Sequence, residues 1–188
     1  QVSLSMLGGY IMVTAMDRLG MPFLASLPLA FFAVAAFSAV LERLVLRHFY
    51  EADDLTQVLL TLGLVFMSIS SVAYVWGPSF KAVNVPAWLS GQVALGALAL
   101  ERYRLFLLVV GVLISLLLVV LLERTRFGAM VRACVDNRRA ASASGINTDA
   151  VFALTFALGG GLAGLGGALS ANLLSLDPNF PLRYLVYV

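Results

Sequence analysis

The side chains that could carry out chemistry are few and scattered along this chain. Among its 188 residues there is one histidine, His48, and one cysteine, Cys134. A single cysteine forms neither an internal disulfide framework nor a thiolate metal site, and a single histidine excludes a histidine cluster. The apolar segments hold no paired carboxylates, nucleophile elbows or metal ligands, so we expect no catalytic residue, no metal and no cofactor.

The charged side chains that are present concentrate in one segment, "RTRFGAMVRACVDNRRAASASGINTDAV", residues 124–151. Five of its arginines fall within sixteen residues. Residues 129–144 contain good helix formers and no proline, which predicts one continuous helix. Gly145 with an apolar residue behind it is typical of a sharp, left-handed helix end. Asn147, Thr148 and Asp149 then offer cap oxygens for the next helix.

Two interpretations of this segment remain open from its pattern. It can be a solvated helix that only supplies positive charge, or a stiff helix that docks on a partner and moves the segments at both of its ends. Four residues, Met130, Ala133, Cys134 and Ala141, fall roughly on one face and could form a small apolar docking surface.

The composition decides which solvent surrounds the chain. Hydrophobic residues make up 61% of it and charged residues only 12%, whereas a soluble domain carries roughly a quarter charged residues. A net charge of +2 without a basic, aromatic face gives no indication of nucleic-acid binding. The chain is therefore expected to be a membrane protein.

Five apolar runs approach the roughly 20 residues that a helix needs to cross a bilayer. They predict an all-α, polytopic transmembrane helical bundle with about five spans. The runs are 2–16, 22–41, 55–76, 105–122 and 150–174.

Basic residues near span ends orient a membrane protein. If the spans alternate, the loops 42–54 and 123–149 lie on one side with seven of the twelve basic residues, and we place that side in the cytoplasm. The connection 77–104 then lies outside, where its prolines favour an ordered loop over a helix. Trp76 and Trp88 are candidate anchors at the headgroup level.

The last complete run, "TFALGGGLAGLGGALSA", contains six glycines. Gly160 and Gly164 form a G-x-x-x-G pair, and Gly167 extends the small face. In lipid such a face lets two helix backbones approach closely. Tight helix packing is the first interpretation, and a bent helix that lines a translocation path is the alternative.

Several motifs together resemble the permease subunits of branched-chain amino acid ABC transporters. "MLGGYI", at residues 6–11, is similar to the family's "MLGAY" segment, and "QVLLTLGL", with Gln57, Thr61 and Gly63, is similar to its third-span motif. The most specific portion is 123–170. Its matching positions are Arg132, Ala133, Asn137, Ala141, Gly145, Ile146, Asn147, Thr155, Phe156, Leu158, Gly159, Ala163, Gly164 and Gly167.

Two departures from the family pattern concern the ends of the chain. Family members begin earlier, with a further span and an "N-x-A-H-G-E" type segment, and continue past the equivalent of Val188 through a "V-G-G-x-G-S" motif. We therefore expect residues 1–188 to be one partial transmembrane permease domain.

The resemblance implies a multi-pass subunit of the bacterial inner membrane that forms half of a translocation pathway in the lipid bilayer. The implied partners are ABC ATPase subunits, a second permease subunit and a periplasmic substrate-binding protein, and no nucleic acid. The chain has no G-x-x-x-x-G-K-[ST] phosphate loop, so ATP hydrolysis is left to the partners and the chain is not an enzyme. Branched-chain amino acids are the implied substrate, with urea or short amides as the alternative; a non-transporting membrane scaffold is the alternative function.

The connection 123–149 becomes the candidate cytoplasmic coupling connection to the ATPase. Its candidate coupling residues are Arg132, Asp136, Asn137, Arg139, Ala141, Gly145 and Ile146. The candidate residues of the translocation path or of helix packing are Thr61, Gly63, Gly160, Gly164 and Gly167.

Overall fold

Seven α-helices account for most of the residues that the structure describes. The computed structural model describes residues 1–49, 53–77, 86, 89–95 and 98–174. In chain order the elements are α1 (Val2–Leu19), α2 (Phe23–Leu44), a 3-10 helix (Leu46–Phe49), α3 (Asp54–Trp76), β1 (Gln92–Leu95), β2 (Leu98–Glu101), α4 (Arg102–Arg124), α5 (Arg126–Asp136), α6 (Arg138–Ala143) and α7 (Thr148–Leu174). The prediction of a helical membrane bundle is confirmed.

Four helices in the described part of the chain are long and apolar enough to cross a membrane: α2, α3, α4 and α7. Four of the about five predicted spans therefore correspond to helices of sufficient length and apolarity. Helix α1 has 18 residues and is not among them. At about 1.5 Å per residue it extends about 27 Å, and eight of its 18 residues are buried.

The helices belong to two compact units. The first contains residues 1–84 and 156–188, and the second contains residues 85–155. Helix α7 begins in the second unit and continues into the first.

A short β-hairpin precedes α4, where the sequence predicted an ordered loop. Strands β1 and β2 pair antiparallel, with Gln92 opposite Glu101 and Leu95 opposite Leu98. The Arg102 N–H donates to the Gly91 carbonyl at 3.0 Å, which joins the start of α4 to the base of the hairpin. Trp88 and most of residues 78–88 lie outside the described residues.

Within the first unit, Trp76 joins α3 to α1. Its indole Nε1 donates a hydrogen bond of 2.6 Å to the Thr14 hydroxyl, and its ring lies 5.5 Å from the Tyr10 ring, centroid to centroid. Tyr10 is fully buried. A buried ring on one side and a hydrogen bond on the other fix the last turn of α3, so Trp76 contacts protein in addition to any contact with headgroups.

Helices α3 and α4 bury almost none of their surface within their own units. Val72 is the buried residue of α3 and Tyr103 that of α4. Large apolar side chains on both helices are more than half exposed, among them Phe66 and Leu113. In a bilayer such surfaces meet lipid tails or further protein.

Candidate functional site

The predicted helix 129–144 is not continuous, and this prediction was wrong. Asn137 has an extended backbone (φ −156°, ψ 99°) and separates α5 from α6. Its N–H still donates to the Ala133 carbonyl at 3.1 Å, while its side-chain Oδ1 accepts from the Ala140 N–H at 3.0 Å. Asparagine is a strong helix cap because its side chain competes for backbone N–H groups, and that signal outweighed the helix formers around it.

The left-handed end predicted at Gly145 is confirmed. Gly145 has φ +83°. Its N–H donates to the Ser142 carbonyl at 3.0 Å, and the Ile146 N–H donates to the Ala141 carbonyl at 3.1 Å. These two bonds form a Schellman motif, which satisfies the last carbonyls of α6 and turns the chain sharply.

Helix α7 begins immediately after this turn. Of the three candidate caps, Asn147 performs the role: its Oδ1 accepts from the Ala150 N–H at 3.1 Å. Asp149 instead pairs with Arg138, whose Nη2 lies 3.2 Å from the carboxylate Oδ1. The Arg138 guanidinium also lies 5.2 Å from the centre of the Phe152 ring, within the range of a cation–π contact. Sequence reasoning missed Arg138, because no helical spacing relates it to Asp149 across the turn.

The apolar face of the connection is closed on itself, which corrects the expectation of a free docking surface there. Cys134, Ala141 and Val151 are each at most 5% exposed and form a small core. Met130, Val131, Ala133 and Ile146 pack against it. The Ile146–Ala141 contact is the apolar partner that a Schellman turn commonly has.

The outer surface of the connection is polar and basic. Among the candidate coupling residues, Arg132, Asp136, Asn137 and Arg139 are exposed, whereas Ala141 is buried and Ile146 is partly buried. Val135, between them, is 74% exposed. The exposed set is available to a partner, and the buried set with Gly145 holds the shape of the connection.

A second tight corner, between α4 and α5, was not predicted. Thr125 caps α5, since its Oγ1 accepts from the Gly128 N–H at 3.2 Å. A Cβ on Gly128 would lie 2.0 Å from the Leu122 carbonyl oxygen, so only glycine fits there. Arg132 donates a hydrogen bond to the same Leu122 carbonyl, which ties α5 back to the end of α4. Within "RTRFG", no spacing in the sequence signals the close contact of Gly128 with the end of α4.

Three of the candidate glycines on α7 lie against other helices of the first unit. A Cβ on Gly160 would be 1.9 Å from the Ser38 hydroxyl, and one on Gly164 would be 2.7 Å from the Val34 Cβ. A Cβ on Gly167 would be 1.8 Å from the Ser5 carbonyl oxygen. Because Val34 faces Gly164 while Ser38 faces Gly160, α2 and α7 run antiparallel across this contact.

Helix α1 supplies its own glycine to the same region. A Cβ on Gly8 would be 2.0 Å from the Gly164 carbonyl oxygen. The backbones of α1 and α7 therefore approach each other without side chains between them, as small residues permit in membrane helices. Gly8 belongs to the "MLGGYI" motif, and sequence reasoning did not connect it with the glycine run.

The two remaining candidates, Thr61 and Gly63, lie on α3. Nothing comes within 4 Å of a Cβ built on Gly63. The Thr61 hydroxyl donates to the Val58 carbonyl of its own helix at 2.8 Å. Thr61 lines a small pocket together with Gln57 and with Phe156 of α7, and this pocket does not include the glycine face of α7.

Four helices in the described part of the chain are long and apolar enough to cross a membrane, and they define a polytopic helical membrane protein. A family profile described as branched-chain amino acid transport system / permease component matches residues 1–188. The chain therefore belongs to that family.

Curated relatives carry the same description. The chain is 27% identical over 175 residues to the high-affinity branched-chain amino acid transport system permease protein BraD of Pseudomonas aeruginosa, covering 87% of this chain and 57% of the relative. It is 27% identical over 140 residues to LivH of Escherichia coli K12, covering 72% of this chain and 45% of the relative. The chain thus spans about half the length of these relatives. No solved structure matches it.

Proposed function

We propose that the chain is part of the permease subunit of an ATP-binding-cassette importer that moves branched-chain amino acids across the bacterial inner membrane. Its partners in this proposal are ATPase subunits, a second permease subunit and a periplasmic substrate-binding protein. Membership of the permease family and the similarity to branched-chain amino acid permeases support the substrate class.

The observation that carries the coupling role is the stiff corner between α6 and α7. A Schellman turn at Gly145 is followed at once by the Asn147 cap. The Arg138–Asp149 pair and the small apolar core brace the same corner. A partner that displaces α6 therefore displaces the first turn of α7, and α7 continues for 27 residues as one helix.

The candidate coupling residues fall into an exposed group and a group that shapes the corner, and we assign each group a different role. Arg132, Asp136 and Arg139 are exposed, so they would contact the ATPase. Ala141, Gly145 and Ile146 would transmit the motion by keeping the corner rigid. Because the helix breaks at Asn137, we assign the stiff element to α6 and the corner and not to all of residues 129–144.

The test is reconstitution of the full-length permease with its ATPase subunits and binding protein in proteoliposomes. We expect ATP-dependent uptake of radiolabelled leucine that valine inhibits and that urea and acetamide do not inhibit. Uptake of urea in place of leucine would support the short-amide alternative. A protein that co-purifies with no ATPase and transports neither compound would support the scaffold alternative.

The orientation is a separate proposal that rests on arginine placement. Single cysteines at Ala140, which is exposed on α6, and at Ser90, which is exposed before the hairpin, distinguish the two sides. In a Cys134→Ala background, a membrane-impermeant maleimide added to intact cells should modify position 90 and not position 140. The reverse pattern would invert the topology.

A further inference from the structure

The corner between α4 and α5 joins a membrane span to a basic surface. Helix α4 has 23 residues and at about 1.5 Å per residue extends about 35 Å, which exceeds the roughly 30 Å of a hydrocarbon core. Its two ends therefore reach the headgroup level. Leu116, Val120 and Leu122 are exposed, so the apolar surface of α4 continues to the last turn before the corner.

Several contacts hold this corner in one shape. The Thr125 hydroxyl donates to the Leu121 carbonyl and accepts from the Gly128 N–H at 3.2 Å. A Cβ on Gly128 would lie 2.0 Å from the Leu122 carbonyl oxygen, so α5 lies directly against the end of α4. Arg132 donates to the same carbonyl. These contacts fix α5 relative to α4, and the residues at the corner therefore keep one position at the end of the span.

Arg124 and Arg126 lie on either side of Thr125 at this position. Both are exposed, and neither side chain has an ion pair or a hydrogen bond among the residues that the structure describes. Their Cα atoms are at most about 7 Å apart, because the two residues are two positions apart in the chain. Both guanidinium groups can therefore reach one phosphate group, whose oxygens match the planar fork of arginine donors.

Other arginines of the second unit are paired within the protein. Arg104, at the opposite end of α4, pairs with Glu101 at 3.1 Å, and Arg138 pairs with Asp149 at 3.2 Å. Glu123 precedes the corner and is exposed, so its carboxylate opposes the binding of an anion. Two arginines and one glutamate still leave a net charge of +1 at the corner.

We propose that Arg124 and Arg126 bind the phosphate of an anionic phospholipid whose acyl chains lie along the exposed apolar surface of α4. A lipid presents its phosphate at the depth of the corner while its chains contact α4, whereas a free phosphate ion makes only the first of these contacts. Each basic residue next to a span strengthens binding to anionic lipid by about 5-fold. The inference requires only that α4 crosses the bilayer, and it is independent of the substrate and of coupling to an ATPase.

The experiment reports lipid binding at this corner alone. A fluorophore is attached to Ala129→Cys, which is exposed one turn after Arg126, in a Cys134→Ala background. The full-length permease is placed in phosphatidylcholine nanodiscs that contain increasing amounts of nitroxide-labelled phosphatidylglycerol or, separately, nitroxide-labelled phosphatidylcholine. Quenching of the fluorophore measures the relative affinity of the corner for each lipid. We expect the wild type to prefer phosphatidylglycerol.

Charge substitutions should change this preference in both directions. Arg124→Gln with Arg126→Gln should weaken phosphatidylglycerol binding by about 25-fold, the product of two 5-fold contributions, and leave phosphatidylcholine binding unchanged. Glu123→Gln should bind phosphatidylglycerol more tightly than the wild type. Arg104→Gln is the matched control, because it removes an arginine from the other end of the same helix, and it should behave as the wild type.

A charge-relocated variant separates lipid binding from the orientation of the chain. Ser142→Arg and Ala143→Arg lie at exposed positions of α6. Added to the double glutamine variant, they restore the number of basic residues between α4 and α7, which maintains the orientation, but they should not restore phosphatidylglycerol binding at the corner.

Five results would overturn the lipid site. They are equal quenching by the two lipids in the wild type, unchanged phosphatidylglycerol binding in the double glutamine variant, an equal loss in Arg104→Gln, restored binding in the charge-relocated variant, and displacement of the lipid by inorganic phosphate, which would indicate a site for a free anion. A double glutamine variant that keeps its lipid preference but no longer co-purifies with ATPase subunits would assign the two arginines to a protein partner instead.

Discussion

Gly167 and Gly166 are neighbours on one helix with opposite surroundings. Gly167 is buried, and an added Cβ would lie 1.8 Å from the Ser5 carbonyl oxygen; nothing lies within 4 Å of a Cβ on Gly166. Real Cβ atoms do not come closer than about 3.0 Å, so Gly167→Ala must move α1 away from α7 by about 1 Å. Such overpacking costs about 1–3 kcal/mol. Each substitution also gains about 1 kcal/mol of helix propensity, and this gain cancels in the comparison.

The free energies of unfolding of the two full-length variants should therefore differ by about 1–3 kcal/mol, with Gly167→Ala the less stable. Reversible unfolding in mixed micelles of detergent and dodecyl sulfate measures both variants under one condition. Gly166→Ala serves as the matched control and should equal or exceed the wild type. Equal stability of the two variants would show that α1 and α7 do not pack through Gly167.

Three further predictions concern other positions. Gly145→Val places a β-branched residue at φ +83°, which costs on the order of 1–3 kcal/mol. In the reconstituted importer this variant should insert normally but hydrolyse more ATP per leucine imported. Gly145→Asn is the control, because asparagine tolerates this backbone conformation, and it should keep the wild-type ratio. Trp76→Phe removes the indole N–H that donates to Thr14 as well as part of the ring. In a Thr14→Val background, where that hydrogen bond is already absent, the same change should therefore lower the free energy of unfolding by about 0.5–1.5 kcal/mol less than it does in the wild type, and an equal loss in both backgrounds would show that the hydrogen bond contributes nothing. The hydrogen bond from Thr56 lowers the pKa of Asp53. The ionised Asp53 therefore stabilises the start of α3 above the pKa of the unfolded state, and this stabilisation is lost as the pH falls through the lower pKa of the folded state. Carboxyl NMR should show a higher Asp53 pKa in Thr56→Val, and an unchanged pKa would contradict the assignment.

Composition and the length of the apolar runs predicted those helices whose secondary structure is determined by the lipid environment and not by tertiary packing. Apolar runs at 22–41, 55–76, 105–122 and 150–174 became helices within a few residues of the expected ends. A segment that must satisfy its own backbone hydrogen bonds inside a bilayer has little freedom in its secondary structure. The hairpin before α4 lies between two of these apolar runs, where run length imposes no such constraint, and the sequence did not predict it.

In the candidate site, local features could be predicted from the sequence and contacts between distant residues could not. Gly145 and Asn147 were predictable because a left-handed turn and a cap are local, and each has a residue type that signals it. The Asn137 break is local too, but the helix formers on both sides of Asn137 favour one continuous helix. Contacts between distant residues, such as Gly8 with Gly164 or Thr14 with Trp76, need the tertiary arrangement, and no spacing in the sequence encodes them.

Gly145 and Gly167 serve two different requirements of this protein, the backbone conformation of the corner and the close packing of helices. Gly145 has open space around its Cβ position but a backbone angle of φ +83°, so a side chain there acts only through the backbone and alters the corner. Gly167 has no such angle but meets the Ser5 carbonyl, so a side chain there acts only through contact and alters helix packing. Changes at the first position should therefore appear in coupling at constant assembly, and changes at the second in assembly before coupling. Comparing the two kinds of variant thus distinguishes a lever that transmits motion from a scaffold that only holds helices together.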